Sequence, residues 1–194
     1  MFPNTYLPLN IFEPRYLKMI NKAISSDDRL IGIIQPKTLG LKNSKTSMYD
    51  IGCAGKIVKF EEIKYNRYLI TLKGISRFNI IKQKVNKQNF RIADVDWKPF
   101  TQDLIKVNHN DNFFHLKVAL KKYLKLNNIN FNMEIIDKCE DLNLADQITM
   151  ICPITSKEKQ LLLETLLLSK RNHLLLSMLE SYNKEANLSD IIKH

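Results

Sequence analysis

The opening stretch Leu7–Tyr16 predicts a strand that leads directly into a helix. Apolar residues alternate along its first part, as in a strand with one buried face: Leu7, Leu9 and Ile11. Pro14 lies where a first helical turn would begin, and its fixed φ suits that position. Beyond it, apolar residues are spaced by three and four: Leu17, Ile20 and Ile24. We therefore expect a β–α unit whose strand and helix share one apolar side.

Short strands dominate the rest of the first half. The pattern predicts strands at 30–35, 51–63, 68–73, 77–85 and 90–97. The 30–35 strand is expected to be fully buried, and Gly74 is expected to form a turn or bulge between two of the others. Asn66 can take a positive φ in the turn after the 51–63 strand. Several hairpins at short spacing, with one early helix, predict a small curled sheet or pseudo-barrel.

Pro99 ends the β-rich part, and the apolar period then becomes helical. We predict a β-rich subdomain over 1–98, a connector over 99–110 and a helical bundle over 111–194. The predicted helices are 111–126, 133–139, Asn143 to Pro153, Thr155 to Leu166 and Ser169 to Tyr182, where the last should fade. Thr155 and Glu158 have the spacing of a capping box.

Several segments together resemble a known family. They are Leu7–Tyr16, Ile51–Ile57, Tyr68–Gly74 with Arg77–Phe78 following, and Ala93–Trp97. In this order they resemble the Lon protease amino-terminal (substrate-binding) domain. The resemblance implies an α+β fold in which a PUA-like β pseudo-barrel precedes a helical bundle. Full Lon proteases have an ATPase domain and a Ser/Lys protease domain after this one. The resemblance therefore implies a binding module that lacks both of these domains.

The residues that carry this resemblance are predicted to be structural rather than catalytic. They are Pro8, Phe12, Glu13, Pro14, Arg15, Tyr16, Gly52, Gly55, Gly74, Arg77, Phe78 and Trp97. We expect Glu13 and Arg15 to tie the helix start together. We expect Arg77 to donate hydrogen bonds to nearby carbonyls, and Phe78 and Trp97 to lie in the core.

No catalytic set emerges from the sequence, so the chain is predicted not to be an enzyme and to need no cofactor or metal. Gly52–Lys56 has too few residues between its glycines for a phosphate-binding Walker A loop, and Ile57 follows where Ser or Thr is required. The four histidines lack metal-ligand spacing, and no Ser/Lys protease dyad is present. Asp94 and Asp96 share one face of a strand, where a solvated edge is favoured over acid–base catalysis.

The net charge of +10 is confined to the first half. Residues 1–100 hold 18 Lys and Arg against 8 Asp and Glu, whereas residues 101–194 hold 12 of each. One interpretation is attraction to acidic partners or nucleic acid. The other, which we favour, is compositional bias, because Lys, Asn and Ile are all abundant. Either way the two halves should differ in surface potential.

The sequence favours a cytoplasmic location. Cys53, Cys139 and Cys152 are odd in number and far apart, which suits a reducing compartment. No apolar run approaches the ~18 residues needed to span a bilayer, and we expect no signal peptide.

Lon amino-terminal domains usually begin with one more strand upstream of Met1–Pro3. The resemblance therefore predicts either a start codon further upstream or an open sheet edge that accepts an extended peptide or a second copy by strand addition. The first alternative is favoured.

Three functions remain open. The first is a module that binds unfolded or extended polypeptide in protein quality control, on its own or with a protease partner, through apolar surface between barrel and bundle and the basic face of the barrel. The alternative is RNA binding by the basic half, which rests on fold analogy. An enzyme with an unrecognised small-molecule site ranks last.

Overall fold

The computed structural model describes residues 1–37, 47–105, 113–131, 133–138, 144–152 and 154–192. The chain forms two compact units, unit 1 (Met1–Lys106) and unit 2 (Val107–His194). Unit 1 contains an antiparallel sheet, and the described part of unit 2 is helical. The predicted α+β class is therefore confirmed.

Among the described residues of unit 1, five antiparallel strands form the sheet. They are β1 (Tyr6–Ile11), β2 (Leu30–Ile33), β3 (Ile51–Ile63), β4 (Arg67–Val85) and β5 (Arg91–Asp96). The strand order is β1-β4-β3-β2, and β5 also pairs with β4. β4 therefore organises the sheet, because its first part pairs with β1, its last part with β5 and most of its length with β3.

β4 is one continuous strand where the sequence predicts two. Gly74 lies inside it, and its N–H donates to the Thr5 carbonyl (2.8 Å) while its own carbonyl accepts from the Asn4 N–H (2.9 Å). The register against β3 shifts at this point, leaving Ile75 as an extra residue. Of the two alternatives predicted for Gly74, the turn is therefore wrong and the bulge is confirmed.

Two further bulges account for exposed aliphatic side chains within strands. Val58 is the extra residue of β3 opposite β4, and Ile81 is the extra residue of β4 opposite β5. The two side chains are 50% and 70% exposed. A bulged residue is unpaired and its side chain is redirected, so these positions do not contribute to the core.

The core of unit 1 lies between helix α1 (Pro14–Ile24) and the inner face of the sheet. Its buried residues are Ile20, Ala23, Ile31, Ile57, Tyr68, Ile70 and Leu72, with Leu7, Leu9 and Ile11 packed against them. The strand–helix prediction for the amino terminus is thus confirmed. The prediction that the 30–35 strand is fully buried is wrong. β2 is the last strand in the order of the sheet, and only Ile31 within it is buried.

The first part of the predicted 99–110 connector belongs to unit 1. Residues Lys98–Leu104 form a 3₁₀ helix with Pro99 in its first turn. Phe100 is 1% exposed, and Asp103 pairs with Arg77 on β4. The predicted connector is therefore wrong over residues 99–104, because the buried ring of Phe100 and the ion pair of Asp103 hold this segment against the sheet. Residues 106–112 lie outside the described part.

Unit 2 is built from α-helices in its described part. They are α2 (Phe114–Leu126), α3 (Met133–Lys138), α4 (Leu144–Ile151), α5 (Ser156–Glu164) and α6 (Leu168–Ile192). The capping box at the start of α5 is confirmed: the Glu158 N–H donates to Thr155 Oγ1, and the Thr155 N–H donates to Glu158 Oε2. The predicted boundaries at Asn143 and Pro153 fall on residues outside the described part.

The last helix is longer than the sequence predicts. α6 begins before Ser169, which is therefore not its cap, and it continues past Tyr182 to Ile192. Every fourth residue on one side is buried: Arg171, Leu175, Leu179 and Asn183. Asn183 Nδ2 donates to the Ala119 carbonyl of α2 at 3.0 Å, so a polar residue extends the buried stripe beyond the last predicted apolar position.

Candidate functional site

Arg77 is fully engaged inside unit 1. Its backbone N–H and its Nε each donate to Asp103 Oδ2 at 2.9 Å, and Nη2 donates to Oδ1 at 2.8 Å. The guanidinium carbon also lies 4.7 Å from the centroid of the Phe100 ring. Sequence reasoning predicted carbonyl acceptors and missed Asp103, because the carboxylate lies 26 residues away in the supposed connector. The buried pair joins β4 to the 3₁₀ helix of unit 1.

Phe78, Trp97 and Gly52 meet on the same part of the sheet. Phe78 is buried, and its ring meets Trp97 edge-on at a centroid distance of 5.7 Å. A Cβ at Gly52 would lie 2.7 Å from the Ile33 carbonyl oxygen and 2.8 Å from the Phe78 ring. Trp97 itself is 39% exposed, so its predicted core location is wrong for a large part of the side chain.

The other two motif glycines allow close approach of the amino-terminal segment. A Cβ at Gly74 would lie 2.0 Å from the Phe2 carbonyl oxygen, and one at Gly55 would lie 2.6 Å from Cε of Met1. Phe2 is 2% exposed, so this segment is packed into unit 1. These glycines therefore make room for atoms of the amino-terminal segment, and residues 52–56 lie within strand β3.

The opening motif lies at the surface. Glu13 Oε2 accepts a hydrogen bond from Arg15 Nε at 2.9 Å, in a pair that is about half exposed. The Arg15 guanidinium carbon lies 4.5 Å from the Tyr16 ring centroid, and Pro14 occupies the first turn of α1. Phe12 is 60% exposed, with the guanidinium of Arg67 5.9 Å from its ring.

Exposed apolar side chains line the solvent side of β1 and its neighbour β4. In the register, Tyr6 is opposite Lys73, Pro8 opposite Thr71 and Asn10 opposite Leu69. Facing residues of an antiparallel pair project to the same side. We call Tyr6, Pro8, Phe12 and Leu69 the β1 face. Tyr6 and Phe12 are about 60% exposed and Leu69 is 40% exposed, outside the core.

A basic depression lies between α1 and the hairpin that joins β4 to β5. Its larger part has a volume of about 690 Å³ and its smaller part about 390 Å³, and Lys22 and Gln88 line both. From α1 it is lined by Lys18, Asn21, Lys22 and Ser25. From the hairpin it is lined by Lys84, Val85, Asn86, Lys87, Gln88 and Ile92. We call it the α1–hairpin groove. The sequence showed the excess positive charge of the first half, but it did not predict that four of its lysines line one groove.

Unit 2 contains a hydrogen-bonded carboxylate that ties α5 to α6. Tyr182 OH donates to Glu158 Oε2 at 2.7 Å, beside the capping box. Burial tends to raise the pKa of Glu158, but the hydrogen bonds from Thr155 and Tyr182 outweigh it, and the pKa is lowered. Burial and the bond to Glu158 raise the pKa of Tyr182 to about 12. This network stabilises the α5 start and holds it to α6.

The surroundings of Cys152 lower the reactivity of its thiol. Burial raises the pKa of its thiol to about 11, although the charge of Lys159 opposes that shift. The group is therefore a thiol at neutral pH, and a thiol is a poor nucleophile. Cys53 is also buried and unbridged. Both are buried within their units, whereas Cys139 lies outside the described part.

Within the described ranges, no group of three or more His, Cys, Asp and Glu side chains could hold a metal ion. Over those same residues, none of the helices combines the length and apolar character that crossing a bilayer requires.

Comparison with known proteins adds the family. The model of the ATP-dependent protease La (LON) substrate-binding domain matches residues 1–181. The Lon protease of Buchnera aphidicola subsp. Acyrthosiphon pisum is 22% identical over 100% of this chain and 25% of its own length. Lon protease 2 of Myxococcus xanthus is 25% identical over 98% of this chain and 23% of its own length. The chain thus spans about a quarter of these relatives.

Solved structures show the same fold. The Lon N-terminal domain protein from Xanthomonas campestris aligns over 91% of each chain with a TM-score of 0.62 at 17% identity. The N-terminal domain of Mycobacterium avium complex Lon protease covers 94% of this chain and 91% of its own, with a TM-score of 0.56 at 17% identity. With nearly its whole length matched by the family model, this chain belongs to the Lon substrate-binding domain family.

Proposed function

We propose that this chain is a non-catalytic module that binds unfolded or extended polypeptide. The observation that carries the proposal is the match of the Lon substrate-binding domain over residues 1–181. Proteins named Lon protease act on polypeptides, so a substrate-binding domain shared with them would bind polypeptide. We place the role in cytoplasmic protein quality control, with a protease as the partner that receives the client. Buried, unbridged Cys53 and Cys152 support a reducing compartment.

The β1 face is the surface that we assign to the client. Tyr6, Phe12 and Leu69 present aromatic and aliphatic area outside the core, and exposed apolar side chains that cluster often mark interaction sites. Side-chain contact is favoured over strand addition at β1. Pro8 lacks an N–H, and a proline within a sheet is tolerated where that position faces away from the ladder. Pro8 therefore removes a donor from the middle of the outer edge.

The test measures binding of a labelled reporter protein that is kept unfolded by blocking its cysteines with a neutral group. The wild-type chain should bind it with weak salt dependence, because the contact is mainly apolar. The double variant Tyr6→Ser with Leu69→Ser should bind about 30-fold more weakly, since each substitution loses roughly 1 kcal/mol of buried apolar contact. Trp97 fluorescence should show that unit 1 remains folded.

The matched control is Leu104→Ser, which removes an exposed apolar side chain (64% exposed) that belongs to the 3₁₀ helix and not to the β1 face. It should leave reporter affinity unchanged. No binding of the unfolded reporter by the wild-type chain would refute the proposal. Binding to single-stranded RNA instead, falling steeply with salt, would support the nucleic-acid alternative.

A further inference from the structure

We propose that the α1–hairpin groove binds an acidic segment of a client polypeptide. This inference rests on the proposed function and adds to it a chemical preference that the β1 face does not provide. The described residues that line the groove all belong to unit 1 and come from two elements that are far apart in sequence, α1 and the β4–β5 hairpin.

Four lysines line this groove from its two walls. Lys18 and Lys22 are four residues apart on α1, on the side that also presents Asn21 and Ser25 and is opposite the buried Ile20. Lys84 and Lys87 come from the hairpin. No carboxylate is among the described residues that line the groove, and none of the four ammonium groups forms an ion pair with another described residue. A client carboxylate beside these lysines would therefore meet no competing carboxylate from the described lining.

The hairpin wall is held in place before any client binds. Asn86 Oδ1 accepts hydrogen bonds from the backbone N–H groups of Gln88 (3.0 Å) and Phe90 (3.1 Å). The Asn86 N–H donates to the Phe90 carbonyl at 2.9 Å, and the Phe90 side chain is buried. Asn89 closes the turn with a φ of 63°. A fixed turn means that the backbone around Lys87 needs no further ordering when a client binds, which favours binding.

The rest of the lining favours polypeptide over nucleic acid. Val85 and Ile92 supply aliphatic surface beside the lysines, which suits a segment that mixes acidic and aliphatic side chains. Single-stranded nucleic acid is usually held by aromatic stacking and by arginine, and the described lining contains neither. The volume of about 690 Å³ is enough for several side chains of an extended segment.

The experiment compares two fluorescein-labelled peptides by anisotropy with the full chain. One is a short unstructured peptide rich in Glu with interspersed Leu and Val, and the other has Gln in place of every Glu. The Glu peptide should bind the wild-type chain at least 10-fold more tightly, roughly the effect of two or three exposed charge pairs. Lys22→Glu with Lys84→Glu should remove that preference, and moderate salt should weaken it.

The matched control is Lys64→Glu with Lys98→Glu, which changes the net charge of unit 1 equally at exposed positions outside the groove. It should retain most of the preference for Glu. Equal affinity for the two peptides, or equal loss in both double variants, would overturn the inference. Tighter binding of single-stranded RNA that is lost in the groove variant would overturn it in favour of nucleic acid. If the neutral unfolded reporter still binds while the peptides are not distinguished, the groove fails and the proposed function stands; if neither reporter nor peptide binds, both fail.

Discussion

Units 1 and 2 share one device, a buried arginine paired with a buried aspartate. In unit 1, Arg77 on β4 pairs with Asp103 in the 3₁₀ helix, at 2.8 Å. In unit 2, Arg171 Nη1 of α6 donates to both carboxylate oxygens of Asp146 on α4, at 2.6 and 2.8 Å. Each pair joins elements about 25 residues apart. Buried pairs of this kind fix how elements are joined, because either partner alone would be an uncompensated buried charge.

The two units differ in the charge balance of the sequence that builds them. Both also bury uncharged polar side chains: Thr5 and Ser76 in unit 1, and Thr149, Gln160 and Asn183 in unit 2. Residues 1–100 carry 18 Lys and Arg against 8 Asp and Glu, whereas residues 101–194 carry 12 of each. The comparison teaches that each unit buries an Arg–Asp pair, whereas the excess positive charge belongs to the first half, where it is available to an acidic partner.

The largest expected effect comes from removing either aspartate. Asp103→Ala and Asp146→Ala should each lower the free energy of unfolding of their unit by about 3–5 kcal/mol, because a guanidinium would be left buried without its carboxylate. Urea unfolding followed by Trp97 fluorescence measures unit 1, which contains the single tryptophan, and far-UV circular dichroism follows the helices. The control is Asp50→Ala, whose exposed pair with Lys37 (3.5 Å) should be worth less than about 1 kcal/mol. Equal losses of stability for the buried and the exposed aspartates would show that the buried Arg–Asp pairs do not stabilise their units.

A smaller effect is expected for Gly74→Ala in unit 1, where the amino-terminal segment crosses β4. The new Cβ would fall 2.0 Å from the Phe2 carbonyl oxygen, so backbone must move, at a cost of about 2–3 kcal/mol. Gly32→Ala is the matched substitution, since its Cβ would lie 3.1 Å from the tip of the Phe78 ring, which can shift. Urea midpoints should place Gly74→Ala clearly below Gly32→Ala. The reverse order would mean that the amino-terminal segment is not packed against Gly74.

The smallest expected effect tests the charged network of unit 2. Glu158→Gln should lower the free energy of unfolding by about 1 kcal/mol at neutral pH, through the capping box and the Tyr182 hydrogen bond. Because the folded-state pKa of Glu158 is lowered, its contribution is present above the ordinary value of 4.5 and is lost as the pH falls through the folded value. The thermal unfolding temperatures of the two proteins should therefore differ at neutral pH and converge as the pH falls below the folded-state pKa of Glu158. A difference that is constant with pH would show that the ionised carboxylate contributes nothing.

Sequence patterns located the local elements well. The amino-terminal strand and helix, the capping box of α5 and the positive φ of Asn66 (59°) depend on neighbours within a few residues, where spacing and side-chain type are sufficient. The antiparallel character also follows from closely spaced hairpins. The α+β fold class was predicted more specifically by several family motifs in the correct order than by any single sequence pattern.

The partnerships across the chain were decided only by the tertiary structure. Gly74 signals a turn by its type, yet β1, β3 and β5 all pair with β4 and keep it continuous. Asp103 and Asn183 are polar by type, but each is buried because a distant group satisfies it: Arg77 for one, the Ala119 carbonyl for the other. Likewise, Lys18, Lys22, Lys84 and Lys87 become one basic groove only when α1 and the hairpin lie side by side. Periodicity records which side of an element is apolar, whereas burial of a polar group depends on a partner that periodicity cannot identify.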